Sequence, residues 1–343
     1  MQLDTPRLCC YLHLCTLCSI MLISGGCAIV LSPPLLRPSP SSPKFQPANP
    51  LIGQRRLCGG FFTVLSDIWF PAEPNTTLQN VESQLRMQSY QMRELNETLT
   101  VYTTAELAPT LHVWHRSEGH VSALRFVEFD APELLRQNGF NDRHLERMSE
   151  WHRHPKAHCS RMSDVLRLAI AAESGLAYLD LDMVLLAPSA DRYLRTPVLA
   201  APVWADESKA GGGTIEIQNS GFCLGRSQLR STILPIITAL IDDKGAAQEY
   251  FYTELGPHVF QRALSQLGPI ELLPTCKPWE PNERRIVEQH RKYHFEWLHL
   301  CRSIREWHWH VKQRDFRALA KRTRSLLGGR LSDAPRSMRG PDH

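Results

Sequence analysis

Asp180 and Asp182 stand two residues apart inside an otherwise apolar run, Tyr178-Leu179-Asp180-Leu181-Asp182-Met183-Val184-Leu185-Leu186. Such a run predicts a β-strand, in which residues i and i+2 project to the same face. The two carboxylates are therefore expected side by side where the strand ends. Two like charges on a buried edge are costly unless a cation holds them. Hard carboxylate oxygens suit Mg²⁺ or Mn²⁺, an ion that a phosphate-bearing ligand would carry in with it. Aspartates that are solvated, or that cap a neighbouring turn, would satisfy the same short pattern, so the residues before it matter.

Those residues read as a helix with both ends marked. Ser163 is the expected N-cap, Asp164 suits the positive end of the helix dipole, and Gly175 suits the position just past the C-terminus. Val165, Leu166, Leu168, Ala169 and Ala172 supply an apolar face. Asp164 and Arg167 lie three apart and share a face. The spacing allows them to contact a nucleotide or to pair with each other.

Ser163-Asp164-x-x-Arg167, followed by Gly175-x-x-Tyr178-Leu179-Asp180-x-Asp182, resembles the lactosylceramide α1,4-galactosyltransferase and α1,4-N-acetylglucosaminyltransferase family, of the glycosyltransferase family 32 type. That family carries Gly-Gly-x-Tyr-Leu-Asp-x-Asp; here Ser174 replaces the first Gly. Weaker matches are Phe61-Phe62 in a first strand, Asn219 to Phe222, Gly256-Pro257, Pro278-Trp279 and His299. The resemblance spans roughly residues 58–310. It implies an α/β, GT-A-like nucleotide-sugar transferase with a central mixed sheet flanked by helices, preceded by a single transmembrane helix. It also implies retaining transfer of galactose or N-acetylhexosamine from a UDP-sugar to a galactose-ended glycosphingolipid, with Mn²⁺ (or Mg²⁺) as cofactor. By the same resemblance Asp180 and Asp182 are catalytic and ligate the metal, with His299 as a third ligand. Asp164, Arg167, Asp180 and Asn219 would contact the donor. His299 also reads as a core histidine, and Asn219 as a turn residue. The sequence departs from the family at Val64 (Glu in the family), just before Val81-Glu82-Ser83 (where the family's Cys-Ser-Val-Glu-Ser has a Cys that this chain lacks), Thr253 to Leu255 (Gly-His-Gln) and Cys301 (Trp). The missing Cys implies loss of one family disulfide. These departures keep open an inactive homologue that binds nucleotide or a partner, and the use of GDP-mannose by related acidic-pair enzymes keeps open a GDP-mannose-dependent transferase.

Composition sets the frame. The chain has 343 residues, 43% hydrophobic and 22% charged, with a net charge of +4. That charge is mild, and no basic-aromatic stripe marks a nucleic-acid partner. Leu8 to Leu31 contains no Asp, Glu, Lys or Arg. As a helix it would reach about 36 Å, enough for a hydrocarbon core of about 30 Å. It reads as an uncleaved signal-anchor; a cleaved signal peptide has a shorter apolar core. Asn75-Thr76-Thr77 and Asn96-Glu97-Thr98 are N-glycosylation sequons, which favour a lumenal catalytic part. The expected layout is a cytosolic tail 1–7, an anchor 8–31, a Pro/Ser-rich stem 32–57, a catalytic domain 58–310 and a basic tail 311–343, in a type II Golgi membrane protein. Cys58, Cys159, Cys223, Cys276 and Cys301 lie beyond the anchor, an odd number whose pairing spacing does not fix.

Further elements follow from local patterns. Residues 61–66 are β-rich, and 81–94 should be helical. Leu99-Thr100-Val101-Tyr102 and Leu111-His112-Val113-Trp114 compete for the second strand. Residues 124–129 alternate as a third. Asp130 should cap a helix with Pro132 in its first turn. Trp151 to His158 is histidine-dense and reads as a basic loop. Gly211 to Gly213 is a turn before a strand, and Ser231 to Ile241 is apolar at helical spacing. Strands alternating with helices predict a parallel or mixed sheet, whose ligands sit beyond the carboxyl ends of the strands.

Overall fold

The computed structural model describes residues 55–65, 74–119, 121–152, 159–187, 189–203, 217–244, 255–276 and 296–299. The expected anchor and stem, the histidine-rich residues 153–158, Gly211 to Gly213, Thr253, Glu254, Pro278-Trp279, Cys301 and the basic tail lie outside these residues.

The strands are β1 (Phe61–Leu65), β2 (Leu99–Thr103), β3 (Leu124–Glu128), β4 (Ala177–Leu179), β5 (Met183–Leu185), β6 (Val198–Val203), β7 (Gln218–Cys223), β8 (Glu271–Cys276) and β9 (Trp297–His299). They form one mixed sheet of order β3-β2-β1-β4-β7-β6-β8-β9-β5. β1 pairs in parallel with both β2 and β4, while β7 pairs antiparallel with β4 and β6. The helices are α1 (Pro74–Glu94), α2 (Ala108–Ser117), α3 (Ala131–Gln137), α4 (Asp142–His152), α5 (Cys159–Ser174), α6 (Asp191–Leu194), α7 (Arg226–Gln228), α8 (Leu234–Lys244) and α9 (Pro257–Ala263). A π-helical turn, Leu229–Ile233, joins α7 to α8.

The two-residue strand period sends alternate side chains to two different cores. Phe62, Val64, Tyr178, Leu199 and Phe222 face one core, with α5, α8 and α9. Phe61, Leu65, Ala177, Leu179, Val198 and Ala200 face the other, with α1 and α2. Helices thus cover both faces, and every residue of β1 is buried. Val64 is core packing, in keeping with its apolar side chain.

Four local expectations are corrected. Leu111 to Trp114 belongs to α2, not to a strand. Ala108, Leu111 and Trp114 recur at three-residue spacing and are its buried face, and Pro109 sits in its first turn. α1 begins at Pro74 rather than near Val81, because proline suits a helix start. α5 begins at Cys159, one turn before Ser163, so Ser163 is not the N-cap; its hydroxyl is used by Arg167 instead. The expected strand through Asp180 and Asp182 breaks between β4 and β5, with the two aspartates in the break. Asp130, by contrast, caps α3 as expected, accepting from the Glu133 N–H at 2.9 Å. Gly175 ends α5 with a positive φ of 67°.

Two features hold the sheet in register around this break. Gly221 of β7 runs beneath Trp297 of β9, and a Cβ there would lie 1.9 Å from the indole ring. A disulfide joins Cys58, just ahead of β1, to Cys223 at the end of β7, across 165 residues. Closing so long a loop restricts the unfolded chain strongly. Replacing both cysteines by serine should therefore lower stability by about 2–4 kcal/mol, read as a lower urea midpoint. Reduced wild-type protein should unfold at the midpoint of the double variant. Equal midpoints for oxidised wild type and variant would show that the bridge contributes nothing.

Candidate metal and donor site

The site forms where β4 gives way to β5. Asp180 follows β4, and its backbone N–H donates to Ser220 C=O of β7 at 2.8 Å. The chain then turns, with the Met183 N–H donating to Asp180 C=O at 3.0 Å. This turn, rather than strand alternation, brings the two aspartates together. β9 pairs antiparallel with β5 and sets His299 opposite Met183. One oxygen each of Asp180 and Asp182 and one ring nitrogen of His299 lie within 4.8 Å of one another. His299 Nε2 is 3.3 Å from Asp182 Oδ1. The group stands at the carboxyl end of β4, beside the point where the strand order reverses from β1-β2-β3 to β4. That is the general position of ligand sites in open α/β sheets.

Arg167 on α5 anchors the first aspartate. It lies over the Tyr178 ring, 4.5 Å from its centre. Nη1 donates to Asn219 C=O at 2.9 Å and reaches Asp180 Oδ1 at 3.4 Å. Nη2 donates to Ser163 Oγ at 2.5 Å and lies 3.3 Å from Asp164 Oδ1, while Nε donates to Ser163 C=O at 3.2 Å. Asp164 and Arg167 thus pair with each other, one of the two alternatives their spacing allowed. All N–H donors of Arg167 face protein acceptors, Asp180 among them. Asn219 Nδ2 donates to Asp164 at 2.5 Å. Gly256, at the start of α9, must lack a side chain: a Cβ would lie 2.4 Å from Asn219 Nδ2 and 2.7 Å from Asp164 Oδ2.

The electrostatics follow from burial. Asp164 is 5% exposed. Desolvation raises its pKa from 3.8 to about 6, against the pull of Arg167 and the Asn219 hydrogen bond. Asp180 is also raised, first by desolvation and further by the neighbouring Asp182 charge, with Arg167 opposing. Burial raises the Tyr178 hydroxyl well above its ordinary value, so it stays protonated and donates to Asp180.

A raised acid pKa means that the folded state holds the proton more tightly than the unfolded state. The Asp164 penalty is then present above about pH 6 and is relieved as pH falls toward 4. Between pH 7 and 5, metal-free wild type should gain urea-midpoint stability relative to Asp164→Asn. A loss relative to that variant over the same interval would contradict the sign.

Three further polar residues complete the site. Tyr178 stands in the motif that the sequence displays, without a role assigned to it there. Gln88 and Gln91 on α1, 0% and 2% exposed, were not singled out by the sequence. Gln88 Nε2 donates to Leu181 C=O at 2.9 Å and Met183 C=O at 2.8 Å. Gln91 Oε1 accepts from the Leu185 N–H at 2.7 Å, and its Nε2 donates to Gln88 Oε1 at 2.9 Å. β5 ends the sheet order, so these amides satisfy backbone groups on the side that lacks a strand. A signal was present: Gln88 stands in line with Val81, Leu85 and Met92, at a position of the stripe where an apolar residue belongs.

Two carboxylates and an imidazole are a suitable donor set for Mn²⁺ or Mg²⁺. The desolvated like-charge pair gains from a cation placed between its members. No protein-family model matches the chain, and no curated protein matches it. Among solved structures it is similar to the PaToxG glycosyltransferase, with a TM-score of 0.43 and 11% identity over 80% of this chain and 86% of that one. It is also similar to mouse xyloside xylosyltransferase 1 in its apo form, with a TM-score of 0.38 and 10% identity over 70% of this chain and 96% of that one. Similarity at this level leaves the function to be read from the site itself.

Proposed function

We propose that this protein is a metal-dependent glycosyltransferase of the GT-A type. It would move galactose or an N-acetylhexosamine, with retention, from a UDP-sugar to a galactose-ended glycosphingolipid. The observation that carries this reading is the Asp180–Asp182–His299 group at the carboxyl end of β4. These three residues would hold Mn²⁺, which when bound supplies positive charge against a diphosphate leaving group. Arg167 and the Tyr178 hydroxyl both contact Oδ1 of Asp180 and so fix that carboxylate before any ion arrives. Asn219 and Gly256 hold Asp164 in place behind them.

The reading places the enzyme in the Golgi as a type II membrane protein anchored by residues 8–31. The Cys58–Cys223 disulfide supports an oxidising compartment for the folded part. Among the described residues no helix is long and apolar enough to cross a membrane, and the apolar segment 8–31 lies outside them.

The test is UDP release from a panel of UDP-sugars by the purified chain, with Mn²⁺ and with chelator, GDP-mannose being included. Metal-dependent release from a UDP-sugar supports the proposal. Release from GDP-mannose alone would transfer it to a mannosyltransferase. A folded protein with no metal-dependent release from any donor would mark a homologue that binds without transfer, the outcome that Val64 and Thr253 to Leu255 leave open.

A further inference from the structure

Asn96 stands beside a cavity whose lining includes none of the metal-group residues. α1 closes with the Glu97 N–H donating to Met92 C=O at 2.8 Å and the Asn96 N–H to Arg93 C=O at 3.1 Å. This is the paired bonding of a helix end whose next residue is left-handed, and Asn96 has φ 54°, the only positive φ of a non-glycine among the described residues. Asn96 and Thr98 are both exposed, and the residues around them form a sequon. Asn96 also lines a cavity of about 760 Å³ that starts at the amino ends of β1, β2 and β3 and runs along β2 and β3 as far as Tyr102 and Val127.

The walls of this cavity have the chemistry of a carbohydrate seat. Thr98, Thr100 and Ser122 offer hydroxyls, and Arg93 and Arg125 offer guanidinium donors. Tyr102 adds a half-buried ring. Glu97, the one carboxylate of the wall, is neutralised by Arg56 at 2.7 Å. β3 is also the end of the sheet order, and Arg125 on it and Ser122 in the turn before it are exposed. An edge strand left bare is a liability that proteins usually cover. The Cys58–Cys223 disulfide is of the kind that persists in oxidising compartments, where sequons are used.

We propose that Asn96 carries an N-linked glycan and that its first N-acetylglucosamine residues lie in this cavity, covering the β2–β3 edge. Asparagine at a left-handed helix end has a purely backbone use as well, so the informative substitution is at Thr98. Thr98→Ala removes the sequon and leaves Asn96 in place, while Thr98→Ser retains it. The inference rests on the lumenal placement proposed above.

The full chain is expressed in cultured animal cells, purified in mild detergent and examined by glycopeptide mass spectrometry and hydrogen exchange. Asn96 should be occupied in wild type and Thr98→Ser, and bare in Thr98→Ala. Thr98→Ala and enzymatically deglycosylated wild type should both exchange faster across residues 98–103 and 122–128. Both should melt about 2–4 °C lower, the shift expected from a modest local loss in a domain of this size. An unmodified Asn96 on chains whose Cys58–Cys223 bridge has formed would overturn the glycan assignment alone. An unmodified Asn96 together with reduced Cys58 and Cys223 would overturn the lumenal placement as well. An occupied Asn96 whose removal leaves exchange unchanged in both segments would overturn the seating in the cavity.

Discussion

Asp182→Asn is expected to cut metal-dependent donor turnover by about 10³-fold or more, the loss that follows when charge stabilisation worth several kcal/mol is withdrawn. The substitution keeps the size and shape of the side chain and removes its charge. Mn²⁺ binding, followed by electron paramagnetic resonance of the free ion, should weaken in parallel. The metal-free fold should survive, because Asp182 lies in a turn with a fifth of its side chain exposed. The charge of Asp182 is also one of the causes that raise the pKa of Asp180. Removing it lightens a like-charge burden, so the metal-free melting midpoint should hold or rise. A folded variant with full Mn²⁺ affinity and turnover would sink the metal assignment. A variant that loses turnover while keeping Mn²⁺ affinity would move Asp182 from the metal to some other part of the reaction.

How much of this was legible in the chain depends on the range of the interaction. Local patterns worked where one element decides: the alternation of 124–128, the Asp130 cap and the glycine after α5 are all readable within a few residues. Leu111 to Trp114 misled because four β-prone residues also fit about one turn of helix. There the burial spacing from Ala108 decided, with β3 and α1 as neighbours that the sequence does not display. The acidic pair was found through a mistaken geometry. Strand alternation and a tight turn both bring residues i and i+2 close, and only the pairing of β5 with β9 shows which occurs. His299 lies 117 residues from Asp182, so its arrival at the site rests on sheet order alone. The disulfide was hidden for the same reason, since an odd set of cysteines admits many pairings and the register of β1 with β7 through β4 selects one. Arg167 showed its partners only in part. Its spacing announced Asp164, but Asn219 and Asp180 come from β7 and from the turn after β4.

Gln88→Met tests whether the turn carrying the metal group is held from outside. Methionine fills nearly the same volume and lies equally well in a helix, but it donates nothing. The carbonyls of Leu181 and Met183 would then be left without the donor they have now. Each unsatisfied buried group costs about 1–3 kcal/mol, so the urea-unfolding free energy should fall by about 2–6 kcal/mol in total. Because Leu181 lies between the two aspartates, the loosened backbone should also weaken Mn²⁺ binding, by about 10–100-fold as for other groups that orient metal ligands. Gln88→Glu separates the two effects. A protonated glutamic acid can still donate one hydrogen bond, whereas the carboxylate faces two carbonyl oxygens and is repelled. Its Mn²⁺ affinity relative to wild type should therefore be best near pH 5 and worsen toward pH 8, a dependence that a general packing defect would not produce. The variant pair also discriminates between two roles for α1. If both substitutions lower stability but leave Mn²⁺ affinity at the wild-type value at every pH, the glutamines serve only to close the β5 edge, and the two aspartates hold their geometry without them.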